Sequence, residues 1–251
     1  MTLRTVTFSR AGFTGSAAVP CHWAGDEDST WEAFRSSISA GLTAGASGLF
    51  FWGWDLAGFS GPVPDPELYL RATAMACFCP IMQYHSEYNH HRLPSRDRTP
   101  WNVAEQTGDE RVLTLFRRFV LLRERLVPYL AEQADAALAS GKPLMRALFF
   151  ETADEQAWAH PEQYFLGDDM LVAPVTSPGV DNWPVYLPRG EWVDAWSGRV
   201  FAGPQVVDLD VPLERIPVFV TADRAPALLP LFADLDGAAE RARRLELTEV
   251  S

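Results

Sequence analysis

Cysteine is scarce in this sequence, with three residues among 251. An odd number excludes a complete set of disulfides, and the spacing of Cys21, Cys77 and Cys79 fits no common zinc site. We interpret them as reduced thiols of a cytoplasmic protein. The sequence also lacks an apolar run of transmembrane length and the apolar segment of a signal peptide, which argues against a membrane partner.

Positive charge is also in short supply. The chain has 21 Lys and Arg against 33 Asp and Glu, so its net charge is −12. An acidic surface repels phosphate backbones, and we therefore exclude nucleic acid as a partner.

Apolar and aromatic residues are abundant. Hydrophobic residues make up 47% of the chain and charged residues 22%, as in globular proteins that bury a sizeable core. Nine tryptophans suit a protein that handles carbohydrate, because sugar rings stack on aromatic faces. The alternative is that the tryptophans fill a large core.

The first third of the sequence alternates strand and helix signals. Helical spacing of apolar residues covers 31–46 and 67–77, and short apolar runs predict strands at 5–9, 20–23, 49–52 and 80–84. Each of these strands is followed by a residue capable of chemistry, namely Arg10, Asp26, Asp55 and His85. Active-site residues of (β/α) barrels stand at such strand ends, so the pattern predicts half a barrel.

In the rest of the chain the secondary-structure signals change twice. After a long polar loop at 86–108, a helix is predicted over 109–140, with Asp109 as N-cap, Gly141 after its end and a kink at Pro128. Six short β-rich runs follow, which predict a small β-sandwich. They cover residues 145–150, 170–175, 184–187, 191–194, 206–209 and 216–220.

Together these signals predict an α/β part followed by an all-β part: a partial (β/α)8 barrel made of its last four strands, with a small β-sandwich. The predicted domains are residues 1–140 for the half barrel, 141–222 for the sandwich and 223–251 for a charged C-terminal helix or tail. Asp168 and Asp169 are interpreted as structural turns within the β-rich part.

Residues 20–31 place one carboxylate, Asp26, after Trp23 and Gly25 and just before a helix that Ser29 or Thr30 would cap. A carboxylate between a strand end and a helix start, beside an aromatic ring, is placed for acid/base work. From spacing alone, an ordinary helix-capping carboxylate explains it equally well.

An ordered set of segments resembles glycoside hydrolase family 31, the α-glucosidase and α-xylosidase family. The first are H-W-A-G-D at 22–26, S-T-W at 29–31, F-F-W-G-W-D-L-A-G-F at 50–59, E-L-Y-L-R at 67–71 and R-T-P-W at 98–101. They continue with L-V-P-Y-L at 126–130, K-P-L-M-R at 142–146, L-G-D-D-M-L-V-A-P-V at 166–175 and Y-L-P-R-G-E-W at 186–192.

The resemblance implies a role for each strand-end residue. Asp26 would be the general acid/base, which needs a raised pKa such as desolvation beside Trp23 could supply. Arg10, Asp55 and His85 would hold sugar hydroxyls, although a strand-end arginine is otherwise more often a surface ion pair. The aromatic residues that would line the pocket are Trp23, Trp52 and Phe59. Gln83 departs from the family pattern, which has an arginine there, and puts the contacts around His85 in doubt.

One element of the family pattern is missing. A retaining glycosidase needs two carboxylates ~5 Å apart, a nucleophile and an acid/base. The family's nucleophile lies in a W-x-D-x-N-E type segment, and no such segment occurs here. The resemblance thus implies a fragment of a retaining α-glycoside hydrolase whose nucleophile comes from elsewhere. The alternative is a catalytically inactive remnant that acts at most as a carbohydrate-binding module.

A half barrel would have an open first strand, and Phe50, Phe51 and Trp52 would not all find cover within it. We therefore expect self-association or a complementary N-terminal polypeptide, besides an oligosaccharide or α-glycoside substrate. No cofactor is implied, and His85, His90 and His91 with Glu87 have the wrong spacing for a zinc site, so no metal is predicted.

Overall fold

A parallel sheet of three strands and an antiparallel sheet of six carry the fold. The computed structural model describes residues 6–10, 12–87 and 93–249, with side chains described to residue 243. Within these residues, none of the helices combines the length and the apolar character that crossing a bilayer requires.

The parallel sheet contains β1 (Phe8–Ser9), β2 (Cys21–Trp23) and β3 (Trp52–Gly53), in that order. Ser9, His22 and Trp52 are neighbours in register and therefore share one face of the sheet. The strand predicted at 80–84 is reduced to a single parallel bridge between Asp55 and Gln83. The predicted order of four strand positions is thus present, but the fourth has no ladder of its own.

Helix α1 (Trp31–Ala46) has the bounds that the sequence predicts. The Thr30 side chain accepts a hydrogen bond from the Ala33 N–H, and Phe34, Ile38 and Leu42 bury one face of the helix. Helix α2 (Pro66–Ala76) begins in the same way, with Asp65 accepting from the Leu68 N–H. Every residue of α2 from Leu68 to Ala76 is buried, so α2 is a core helix.

The predicted loop at 86–108 contains helix α3 (Pro100–Thr107), which sequence analysis missed. Thr99 caps it and proline occupies the first turn, a helix-start signal that could have been read. Helix α4 spans Arg111–Ser140 and continues through Pro128. Asp109 is not its N-cap residue but accepts a hydrogen bond from the Arg111 N–H, while Gly141 ends the helix in a left-handed conformation, as expected.

The antiparallel sheet has the strand order β4-β5-β6-β9-β7-β8. Its strands are β4 (Met145–Ala147), β5 (Tyr164–Leu166), β6 (Met170–Val172), β7 (Asn182–Asp194), β8 (Val200–Asp210) and β9 (Val218–Thr221). The two strands predicted at 184–187 and 191–194 are one strand with an irregularity after Leu187, and β5 was not predicted. The predicted turn residues Asp168 and Asp169 do lie in the turn between β5 and β6, where Arg146 pairs with Asp168.

The remaining short helices are α5 (Gln156–Ala159) and α6 (Ala225–Leu228), and α7 (Leu235–Glu249) is the last element. Helix α7 packs on α4, with Leu235 and Ala239 buried and an ion pair between Arg118 and Asp236. Residues 235–249 are therefore helical, which is one of the two alternatives predicted, and the first turns of this helix pack on α4.

Candidate active site

Arg10 and Asp26 form an ion pair beyond the carboxyl ends of two adjacent parallel strands. Arg10 follows β1, Asp26 follows β2, and Arg10 Nη1 lies 3.1 Å from Asp26 Oδ2. The two side chains are 57% and 37% exposed. Because exposed ion pairs contribute little to stability, both groups can be redirected to a ligand at small energetic cost.

Asp55 lies beyond the end of the third strand and is fully buried. Its Oδ1 accepts a hydrogen bond from Gln83 Nε2 at 2.6 Å, whereas its Oδ2 has no partner among the described residues. Burial raises the pKa of Asp55, and the Gln83 hydrogen bond and the nearby His85 oppose that rise. Gln83, which sequence analysis noted only as a departure, is thus the residue that holds Asp55.

Glu27 is a third carboxyl of this site and was missed by sequence analysis. Its backbone carbonyl accepts hydrogen bonds from the Phe59 N–H at 2.8 Å and the Ser60 N–H at 3.0 Å. Its Oε2 is buried and has no partner among the described residues. Burial raises the pKa of Glu27 to about 7, and the charges of Asp55 and Asp26 add to the rise.

Three further buried polar atoms, in β2 and directly after β3, have no partner among the described residues: His22 Nε2, Trp23 Nε1 and Trp54 Nε1. Buried polar atoms are usually hydrogen-bonded, so unpartnered ones mark places where a ligand or further chain supplies the partner. Together with Asp55 Oδ2 and Glu27 Oε2, they favour a polar ligand at this end of the sheet.

The aromatic residues predicted for the pocket lie in different places. A methyl group on Gly41 would stand 2.6 Å from the Trp52 ring, so Trp52 packs against α1. Trp23 belongs to the opposite face of β2, because its neighbour His22 shares the face of Trp52. Both line a groove of about 410 Å³ that also reaches Arg10. Substrate contact by Trp23 and Trp52 stays a prediction.

Phe59 and His85 are in contact, with ring centroids 5.0 Å apart. Phe59 is half-buried and His85 is exposed. The structure therefore brings His85 beside the loop that follows Asp55, as the sequence predicts for neighbouring strand ends.

Arg98 fastens the loops that carry these residues. Its side chain is fully buried and donates to the Ser60 and Gly61 carbonyls and to Ser29 Oγ. This ties the loop after Asp55 to the start of α1. Gly58, with φ of 96°, completes the junction, because a Cβ there would lie 2.8 Å from the Ser29 nitrogen. Sequence analysis quoted Arg98 within a motif but assigned it no role.

No cluster of three or more His, Cys, Asp or Glu side chains that could hold a metal occurs among residues 6–10, 12–87 and 93–243. His90 and His91 lie outside the described residues. All three cysteines are free thiols, and burial raises the pKa of Cys79 to about 12.

Comparison with known families identifies two consecutive domains. Residues 2–133 match the Glycosyl hydrolases family 31 TIM-barrel domain, and residues 141–225 match the Glycosyl hydrolase family 31 C-terminal domain. These two matches follow the order of the parallel and antiparallel sheets.

Similar proteins are longer than this chain. It is 63% identical over 230 residues to a 1,3-alpha-isomaltosidase of Kribbella flavida, covering 91% of this chain and 32% of that protein. It is 41% identical to an isomaltosyltransferase of Sporosarcina globispora, covering 86% of this chain and 20% of the relative. The chain thus spans a third or less of the length of these relatives.

A solved structure supports the same comparison. The cycloalternan-degrading enzyme from Trueperella pyogenes, in complex with isomaltose, superposes with a TM-score of 0.85 at 60% identity, covering 86% of this chain and 31% of that one. Another structure of the same enzyme is described as a complex with a covalent intermediate.

Proposed function

Because this chain belongs to glycosyl hydrolase family 31, we propose that it is the part of an α-glycoside hydrolase that carries the general acid/base, Asp26. The observation that carries the proposal is the grouping of Asp26 with Arg10 and the buried Asp55 beyond three adjacent parallel strands. Strand ends of this kind are where (β/α) barrels place their chemistry.

The reaction that we propose is retaining hydrolysis of an O-glycosidic bond. Asp26 protonates the departing glycosidic oxygen while an aspartate from outside this chain attacks the anomeric carbon, and Asp26 then takes a proton from the water that releases the sugar. The covalent intermediate in the Trueperella pyogenes relative supports a two-step course.

Arg10 and Asp55 would bind the sugar. Arg10 is exposed and pairs with Asp26, so an arriving ligand can share its guanidinium through a hydroxyl group. Asp55 presents an unpartnered, buried Oδ2, a strong acceptor for a sugar hydroxyl. Trp23, Trp52, Phe59 and His85 would add ring and edge contacts. For substrate, we propose an α-1,3-linked isomaltosyl saccharide such as cycloalternan, since one relative is named a 1,3-alpha-isomaltosidase and another, a cycloalternan-degrading enzyme, was solved in complex with cycloalternan.

We further propose that the parallel sheet is the last part of a (β/α)8 barrel and that the antiparallel sheet is a β-sandwich adjoining it. The proposed boundaries are residues 1–140, 141–222 and 223–251. The two family matches, which change between residues 133 and 141, support the first boundary.

Complementation tests the function. The chain would be mixed or coexpressed with the N-terminal two thirds of the Kribbella flavida relative, and release of isomaltose from cycloalternan would be measured. We expect turnover only with both parts present. Asp26→Asn should lower kcat by about 10²- to 10⁴-fold. Asp135→Asn, which changes an exposed aspartate on α4, is the matched control and should leave turnover unchanged.

Two results would contradict the proposal. Undiminished turnover in the Asp26→Asn variant would remove Asp26 from the reaction. Binding of cycloalternan in calorimetric titration without turnover, in a complex whose assembly is verified, would favour the carbohydrate-binding alternative.

A further inference from the structure

Glu27 belongs to a cluster of charged groups in which carboxyl groups outnumber basic side chains. The groups that face it are Asp26 beside it, Arg10 from the end of β1 and Asp55 from the loop after β3, with His85 close to Asp55. Three carboxyls thus share one arginine. With all three ionised, the negative charges would outnumber the guanidinium by two, in a place where Asp55 is fully buried.

The side chains of Glu27 and Arg10 lie close to each other. A Cβ atom on Gly25 would lie 3.5 Å from Arg10 Nε and 3.8 Å from Glu27 Oε1, so the two side chains flank the same glycine. Arg10 nevertheless pairs with Asp26, at 3.1 Å. Glu27 therefore lies close enough to compete for Arg10, but the ion pair forms between Arg10 and Asp26.

The Glu27 backbone is fastened to the neighbouring loop. Two N–H groups of the neighbouring loop, from Phe59 and Ser60, donate to its carbonyl. Oε2 is buried without a partner among the described residues, an arrangement that penalises a carboxylate more than a carboxylic acid. The two backbone hydrogen bonds thus fix the position from which the Glu27 side chain enters the cluster.

We propose that Glu27 is a positioning residue that occupies the cluster as a neutral carboxylic acid and thereby leaves Arg10 paired with Asp26. When Glu27 ionises, its carboxylate draws Arg10 away and repels Asp26 and Asp55, and the arrangement that receives the sugar is lost. Burial and the neighbouring charges, which raise the pKa of Glu27 to about 7, agree with this role. The proposal rests on the proposed function only for what Arg10 and Asp26 do.

Nuclear magnetic resonance of the chain alone tests the two structural parts of the proposal. We expect one glutamate carboxyl ¹³C signal to titrate near pH 7, and to be missing from Glu27→Gln. We also expect the Arg10 Nε–Hε signal to shift at the same pH in the wild type and to stay constant in Glu27→Gln. Glu32→Gln, in the exposed first turn of α1, is the matched control and should leave both signals unchanged.

These readouts need neither substrate nor activity, so they are separate from the test of the glycosidase function. The proposal is overturned if every glutamate signal titrates below about pH 5, the ordinary range for this group. It is equally overturned if the Arg10 signal changes with pH in the same way in Glu27→Gln as in the wild type.

In the complemented enzyme, the wild type should lose activity as the pH rises above about 7, and Glu27→Gln should keep a larger share of its activity there, because the part of the loss that comes from Glu27 is missing. An alkaline limb that is identical in Glu27→Gln would contradict the positioning role. Absence of activity in every variant would count against the proposed function. The resonance measurements would then still test whether Glu27 is a positioning residue.

Discussion

Burial and a single side-chain hydrogen bond, donated by Gln83, have opposite effects on the ionisation of the Asp55 carboxyl. Burial favours the neutral acid, and the Gln83 amide at 2.6 Å favours the carboxylate. In Gln83→Ala we expect the pKa of Asp55 to rise further, so that sugar binding weakens at neutral pH. Carboxyl ¹³C titration of Asp55 would measure the change, with the exposed Gln156→Ala as control. If the pKa of Asp55 were unchanged in this variant, the Gln83 side chain would have no effect on the ionisation of Asp55.

The raised pKa of Glu27 also makes folding stability depend on pH. Its pKa rises from 4.5 to about 7 on folding, so between these values the folded chain keeps a proton that the unfolded chain loses. A rise of this size corresponds to about 3 kcal/mol. Because the Glu27 side chain is only half-buried, solvent screening should reduce the stability that the wild type loses in this window to about 1 to 2 kcal/mol, with no further loss above it. Urea unfolding at pH 5 and pH 8 would measure the loss.

Glu27→Gln should abolish that pH dependence, because the amide has no proton to lose. Near pH 4 the variant and the wild type should be similarly stable, and near pH 8 the variant should be more stable. A variant that loses stability in step with the wild type between pH 5 and 8 would assign the dependence to another group.

Sequence reasoning could find Asp26, Arg10 and Asp55 but not Glu27 and Gln83. Asp26, Arg10 and Asp55 follow apolar runs, so their place at strand ends is a local signal. The importance of Glu27 and Gln83 depends on contacts with residues about 28 positions away, as between Gln83 and Asp55, and no local pattern encodes such contacts. Arg98 is a similar case, since its carbonyl acceptors are brought together only by the fold.

At the scale of elements, α1 was predictable because its cap and its buried face are both local features. The fourth strand was predicted as a full strand, yet only one bridge forms, because pairing depends on a neighbour that the sequence pattern does not reveal. Two strands separated by a proline and a glycine merged into β7, since an irregularity in register lets one strand bend and continue.

Close packing of α1 on the parallel sheet gives a prediction for Gly41. A Cβ there would lie 2.6 Å from the Trp52 ring, which is too close for any contact to survive unchanged. Gly41→Ala gains about 1 kcal/mol of helix propensity, but overpacking costs about 1 to 3 kcal/mol and should dominate, since the Trp52 ring is itself buried. We expect a lower melting temperature in calorimetry.

The exposed Ser36→Ala on the same helix is the control for that experiment and should not lower the melting temperature. If Gly41→Ala were as stable as Ser36→Ala, the close packing of α1 on Trp52 would not be a constraint on the fold.

At the scale of the whole molecule, the parallel sheet has an incomplete side. In the described part of the chain β1 pairs only with β2, and Val6, Phe8 and Phe13 are 60%, 43% and 88% exposed. Trp52, by contrast, is buried, and Phe50 and Phe51 are half-buried against the core. These three side chains are therefore less exposed than the half-barrel prediction implies. Exposed apolar side chains thus flank the free edge of β1, although others, such as Trp101 and Trp158, are exposed elsewhere.

An open strand edge flanked by exposed apolar residues favours association with another chain. We expect the purified chain to elute in size-exclusion chromatography above its monomer mass of 27.9 kDa. Adding the N-terminal two thirds of the Kribbella flavida relative should replace the self-associated species by a single complex, because the same edge would receive both partners.

Substitution at this edge separates specific association from general stickiness. The double variant Phe8→Lys with Phe13→Ser places a charge on the strand and removes an exposed ring, so it should shift the chain toward the monomer and weaken the complex. Phe150→Lys is the control: it removes a ring that is 39% exposed in the turn after β4, away from the β1 strand, and should change neither. If the wild type elutes as a monodisperse monomer that melts cooperatively, the β1 edge is closed by the chain itself and needs no partner.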